Sequence, residues 1–231
     1  MPNQLLFHRF STLSPNAFNF TPRNLIVAGW TGRDRAALER HVRELEALGV
    51  KRPSTTPVYY RVAAGNLMQG GQVQVLSPHT SGEIEPVLLA MRDGLWLGIG
   101  SDHTDRKMET MSVAASKQAC PKIVGGTLWD CRDIAAHCDE LILRSWIVEQ
   151  TGANPVLYQE GSLAMIRPLD QLIEGHAGIN ALEAGSVIFC GTFPAIGGVR
   201  PAASFIGEIE DPVLKRKLRF AYDIEVLPVI G

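Results

Sequence analysis

The chain has 231 residues, 45% of them hydrophobic and 20% charged, with a net charge of −2. That composition suits one globular domain, or one with a small appendage, and excludes a disordered protein. Without a long basic run a nucleic-acid partner is not expected. No apolar run reaches the roughly 18–20 residues of a membrane helix, so no membrane is expected either.

In chain order, Leu5–Phe10 and Asn24–Ala28 read as short strands, with a turn-rich stretch from Ser14 to Pro22 between them. Gly32 to Leu48 reads as a helix: Ala37, Leu38, Val42, Leu45 and Leu48 recur at helical spacing, and Gly49 ends it. A loop with two prolines follows to Pro57. From there the pattern is mostly β. Val58–Val62, Val73–Leu76, Glu83–Ala90 and Leu95–Gly100 are strand candidates, and Arg106–Lys117 is a short helix or irregular. Leu141–Val148, Leu157–Ile166, Ser186–Cys190, Ser204–Glu210 and Asp223–Pro228 read as further strands. Pro168–Glu174 reads as a short helix, and Phe193–Ala202 as a loop. The fold class is therefore α+β, mostly β, with a small α/β segment at 1–57 ahead of a larger β domain at 58–231.

The N-terminus lacks the basic start and apolar stretch of a signal peptide. Cys120, Cys131, Cys138 and Cys190 form no CxxC pair and read as reduced thiols, which makes the cytoplasm the expected compartment.

Glu83 and Glu85 are two apart, so on a strand they share a face. Asp93-Gly94, between two apolar runs, signals a tight hairpin. With Asp93-Gly94 as central turn residues, Glu85 lies opposite Asp102; with Arg92-Asp93 central, Glu83 does. Both registers put three carboxylates on one face. Such a cluster suits Mg2+ or Mn2+; a solvated hairpin face accounts for the same residues equally well.

At these residues the chain resembles the fumarylacetoacetate hydrolase superfamily. Members bind their metal through Glu-x-Glu on a strand and an Asp opening a segment like Asn-Asp-x-Ser-x-Arg-Asp; here these are Glu83-Ile84-Glu85 and Ser101-Asp102-His103-Thr104-Asp105-Arg106. Ser116-Lys117-Gln118-Ala119-Cys120-Pro121 is similar to a stretch in which a Lys precedes Cys-Pro. Leu157-Tyr158-Gln159-Glu160-Gly161 looks like the strand ending in a Gln near substrate. Gly185 to Thr192 resembles the closing Gly-Asp-Val-Ile-x-x-Gly-Thr-Pro segment, with an extra Phe193 before Pro194. His41-Val42-Arg43-Glu44 matches a His-x-x-Glu pair of many members. More narrowly, the chain resembles a branch known as a domain of unknown function. Departures include a longer loop before His41, a tight hairpin in place of a helix between Glu85 and Asp102, and a shorter step from Lys117 to Cys120.

The resemblance implies a mixed β-roll, typically a homodimer, with a lid from the N-terminal segment. Glu83, Glu85 and Asp102 would hold the cation, which stabilises an enolate of a small 2-oxo or 1,3-dicarbonyl acid. His41, oriented by Glu44, would activate water, although helix spacing alone fits a surface histidine. Lys117 would donate to the enolate oxygen. Arg106 would orient Asp102 or meet substrate, Gln159 and Thr192 would contact substrate oxygens, and Arg61 would recognise a substrate carboxylate. His103, on the face opposite Asp102, is not counted as a ligand. The implied activity is a hydrolase or lyase. A hydratase, decarboxylase or isomerase of the same superfamily and a non-catalytic metal-containing binding protein are the alternatives.

Overall fold

The computed structural model describes residues 3–10, 16–47, 52–177 and 182–230; within those spans the side chains of Phe10, Asn16, Arg40, His41, Glu44, Leu45 and Ala47 are not described. The N-terminal part supplies β1 (Leu5–Phe10), β2 (Asn16–Phe20), β3 (Asn24–Gly29) and α1 (Arg35–Ala47). Next come β4 (Val58–Val62), β5 (Leu67–Gln69), β6 (Gly71–Val75) and β7 (Thr80–Ser81). The hairpin β8 (Ile84–Met91) and β9 (Gly94–Asp102) leads into β10 (Thr104–Asp105) and two short helices, α2 (Arg106–Glu109) and α3 (Val113–Ala119). Then follow β11 (Lys122–Val124), β12 (Thr127–Asp130), α4 (Cys131–Ile134), β13 (Ile142–Val148) and β14 (Val156–Ser162). The remainder is α5 (Leu169–Ala177), β15 (Ser186–Phe189), β16 (Ser204–Asp211) and β17 (Arg216–Val226).

Ten strands form one mixed sheet with the path β2-β1-β12-β9-β8-β15-β3-β4, and β11 and β5 join it beside β9. Five others form a second sheet, β14-β13-β16-β17-β6. Side chains of both sheets meet in one core, among them Ile84, Leu97 and Ile188 from the first and Leu143, Phe205 and Tyr222 from the second. The opposite face of the large sheet closes on itself: Phe7, Leu25, Val62, Leu67, Val87, Trp96 and Phe189 pack together. The α+β, mostly β roll is as expected. Because its central strands are covered on both faces, β8 from Pro86 to Met91 and β15 from Val187 to Phe189 read as continuous apolar runs rather than alternating ones.

The fold corrects several expectations. Asn16–Phe20 lies inside the stretch read as turns, yet pairs antiparallel with β1. Its Phe18 stacks on Phe7 and its Phe20 meets the same ring edge-on, so sheet packing overrides the turn-forming asparagines. The helix starts at Arg35, because Asp34 accepts from the amides of Ala36 and Ala37 and sets its first turn. Gly49 lies outside the described residues. β17 begins at Arg216, seven residues before the expected strand; Leu218, Phe220 and Tyr222 alternate inward between charged residues that suit its outer face. Among the described residues no helix is long and apolar enough to cross a membrane.

Candidate metal centre

The β8–β9 turn has Arg92-Asp93 at its centre, since Met91 pairs with Gly94. Of the two registers open in the sequence, this is the one that sets Glu83 opposite Asp102, and Asp102 N donates to Glu83 O at 3.0 Å. Gly94 takes φ +137, a conformation that side chains disfavour. Asp93 leaves the turn to pair with Arg9 of β1, and so ties the hairpin tip to its neighbour.

One oxygen each from Glu83, Glu85 and Asp102 falls within 4.8 Å of the others. Glu85 and Asp102 are buried, and Glu83 is partly open. Burial, together with the neighbouring Asp102 and Glu83, pushes the Glu85 carboxyl well above the ordinary range. For Asp102 burial pushes the same way, but Lys117 and Lys122 outweigh it and hold its pKa at about 2. Gly191 N donates to Glu85 Oε2 at 2.7 Å. Gly191 is required here twice over: its φ is +98, and an added Cβ would lie 1.7 Å from Thr31 Oγ1.

Lys117 is where the resemblance placed it. Ser112 caps α3 by accepting from Ala115 N, and the helix turns Lys117 inward. Its Nζ lies 2.6 Å from Asp102 Oδ2, 3.1 Å from Thr104 Oγ1 and 3.4 Å from Glu83 Oε2. Burial opposes its charge, but Asp102, Glu83 and Glu109 together raise its pKa, so it remains an ammonium.

Arg106 pairs with Glu83 at 3.2 Å and Glu109 at 2.9 Å and donates to Ser81, so it steadies Glu83 rather than Asp102. Gln159 and Thr192 are near the acids but are committed internally. Gln159 Oε1 accepts from Ile84 N and Ser145 Oγ, while its amide donates to Thr192 Oγ1 and Phe193 O. Thr192 Oγ1 donates to Ile84 O at 2.6 Å. With every donor and acceptor of Gln159 in use, the pair braces the start of β8. The structure does not bring Arg61 to the cluster. It is exposed and donates to Asn24, because alternation along β4 turns it away from the face that carries Tyr60. His41 and Glu44 fall on α1, but their side chains lie outside the described residues. His103 is buried with Nδ1 at 3.0 Å from Tyr222 OH, away from the acids as expected.

Sequence reasoning missed Lys122. Fully buried at the start of β11, its Nζ donates to His103 O at 2.7 Å and Cys120 O at 3.0 Å and lies 3.1 Å from Asp102 Oδ1. The available signal was a lysine leading an apolar strand, Lys122-Ile123-Val124.

The residues fit a hard divalent cation. Three carboxylate oxygens converge, and buried Asp102 Oδ2 accepts no properly directed hydrogen bond despite the adjacent ammonium. Glu83, Glu85 and Asp102 would hold the ion, and an all-oxygen set suits Mg2+ or Mn2+.

A curled mixed β-roll with this carboxylate triad at the mouth of its central hairpin has the fumarylacetoacetate hydrolase fold. Structures that share it include 5-carboxymethyl-2-hydroxymuconate delta-isomerase from Mycobacterium smegmatis, with TM-score 0.63, 15% identity and coverage of 94% of this chain and 88% of that one. Yeast ynq8, a fumarylacetoacetate hydrolase family protein, gives TM-score 0.62, 14% identity and coverage of 90% and 95%. A 2-keto-3-deoxy-D-arabinonate dehydratase complexed with magnesium and 2,5-dioxopentanoate gives TM-score 0.61, 16% identity and coverage of 91% and 76%. By sequence the match is to a protein family of unknown function, DUF2848, whose model covers residues 28–222, and the chain belongs to that family. No curated protein matches it by sequence.

Proposed function

We propose that the chain is a Mg2+- or Mn2+-dependent enzyme that cleaves a C–C bond in a small 2-oxo or 1,3-dicarbonyl acid. The observation that carries this reading is an ammonium seated among three converging acids: Lys117 Nζ is 2.6 Å from Asp102 and 3.4 Å from Glu83. Lys117 balances the acids' charge, and from that seat it can also donate to an oxygen of a molecule bound at the metal. The bound metal would supply Lewis acidity to the substrate's oxo and carboxylate oxygens. Lys117 then donates a hydrogen bond to the oxygen on which negative charge develops, an electrostatic contribution strengthened by the buried setting. Arg106 and Glu109 hold Glu83 and Lys117 in place. His41, oriented by Glu44, takes a proton from water as the lid helix covers the site. The family resemblance further supports a homodimer, and the unpaired cysteines support a cytoplasmic location. That a magnesium-containing dehydratase of this fold is complexed with a small dioxo compound agrees with the substrate class.

A dehydratase or isomerase is the second reading. It is favoured by the same fact, because a hydrogen bond from Lys117 to an enolate oxygen serves dehydration or isomerisation as well as cleavage. Turnover of acylpyruvates and other oxo-acids, followed with Mg2+ or Mn2+ and again with EDTA, tests the proposal. EDTA-sensitive cleavage is the expected result, and no such activity on any of them would sink it. A His41→Ala variant that binds metal but no longer turns over a water-dependent substrate selects hydrolysis; full activity selects the second reading.

A further inference from the structure

Between Val113 of α3, Tyr60 of β4 and Trp30 lies a cavity of about 260 Å³ that the mechanism above does not use. Its walls are mostly apolar or aromatic, Trp30, Pro53, Val58, Tyr60 and Val113, the last three half-buried, with exposed Ser54 and Arg52 completing the lining. Val113 stands one helical turn before Lys117, so the two share a face of α3 and the cavity adjoins the ammonium. Tyr60 also senses the charges of Lys117 and Glu109. On the other flank Trp30 precedes Thr31, whose side chain lies against Gly191, the donor to Glu85.

Two features show that this wall is built rather than incidental. Trp30 is held at φ +60, a left-handed conformation unusual for a bulky residue, and such strain persists only where its surroundings impose it. Its side chain is hydrogen-bonded to that of Tyr60, and since indole can only donate, the phenol oxygen accepts. The two rings are thus locked together. Arg52 also borders the cavity, but both Glu39 oxygens (2.8 and 2.7 Å) and Glu46 (3.2 Å) take its guanidinium, so its charge is already matched.

We infer that this cavity receives the end of the substrate remote from the metal, and that the chain takes oxo-acids bearing a flat apolar group, an aryl group above all, rather than a second carboxylate. The assignment rests on the function proposed above. Calorimetric titration of pyruvate, phenylpyruvate and 2-oxoglutarate into the Mn2+-loaded full chain tests it, with oxalate as a second short acid. Phenylpyruvate should bind about tenfold or more tighter than pyruvate, as expected for burying an aromatic ring, and 2-oxoglutarate should gain nothing over pyruvate. The phenylpyruvate-to-pyruvate ratio should collapse toward one in Trp30→Gly, which relaxes the left-handed backbone, and in Val113→Asp, which places charge in the cavity without touching Trp30. Equal affinities across the series, tighter binding of 2-oxoglutarate, or a ratio unchanged in both variants overturns the cavity assignment alone. If neither pyruvate nor oxalate binds, the oxo-acid reading fails and the cavity assignment falls with it.

Discussion

Lys122 spends its three ammonium hydrogens on three acceptors within 3.1 Å, two carbonyls and Asp102 Oδ1. It is therefore a fixed charge that holds one oxygen of Asp102 and leaves the other toward the acids. Burial lowers its pKa, with Asp102 opposing. Lys122→Met keeps the shape but strands two carbonyls and a carboxylate, and should cost about 3 kcal/mol of stability in urea unfolding. An unaltered midpoint would mean that the lysine is not buried as described. The three acids themselves were legible in the sequence because strand alternation and a turn signal are local rules. Lys122 was not, because what makes a lysine buried is the acceptors around it: Asp102 and the carbonyl of His103 reach it only through the pairing of β9 with β11. Gln159 and Thr192 were placed near the site from the sequence, but the bonds they make were not legible, since a side chain's partners are visible only once its neighbours are known.

The elements extend this dependence on long-range partners. The hairpin was legible from Asp93-Gly94, but its register was settled by which residues fit the turn, and that choice decides which glutamate faces Asp102. Gly191, at the end of β15, is where the loop meets β8. Gly191→Ala would drive a methyl into Thr31 and pull the amide away from Glu85, and should weaken Mn2+ binding at least tenfold by titration calorimetry while β15 remains paired. On the second sheet, Asp211 closes the β16–β17 turn and is fully buried. Burial opposes its charge, but the Leu214 amide, His137 and Arg216 outweigh it and lower its pKa. A depressed carboxylate stabilises the fold above its unfolded pKa, near 3.8, and that stability is lost as pH falls through the lower folded value. Urea midpoints should therefore fall as the pH drops below about 4, and less steeply in Asp211→Asn, which starts from lower stability. Parallel slopes for the two proteins would exclude Asp211 as the source. β17 itself was half-missed, although Leu218, Phe220 and Tyr222 alternate cleanly, because its outer face is so heavily charged that the stretch reads as solvated.

At the scale of the molecule, the roll brings three carboxylates together, which Lys117, Lys122 and Arg106 balance in part and a bound cation would balance further. Mg2+ or Mn2+ at about a hundred times its dissociation constant should stabilise the chain by about 2.7 kcal/mol, seen as a raised melting temperature. Glu85→Gln should abolish that rise and, by removing one of three crowded carboxylates, make the metal-free chain more stable than its parent in EDTA. A Glu85→Gln protein that still gained stability from the metal would remove Glu85 from the binding set. The mostly β class was legible from strand density, yet the ten-strand path was not, because β1 and β3 join strands more than a hundred residues away, β12 and β15. The brace at Gln159 gives this architecture a practical use. One side chain from the five-stranded sheet sets the height of Ile84 and of the loop after β15 on the other. The spacing of the acids is thereby geared to the thickness of the layer between the sheets. Cation affinity measured across a series of cavity-forming core variants would then serve as a caliper, reporting at one end of the roll how far its interior has collapsed.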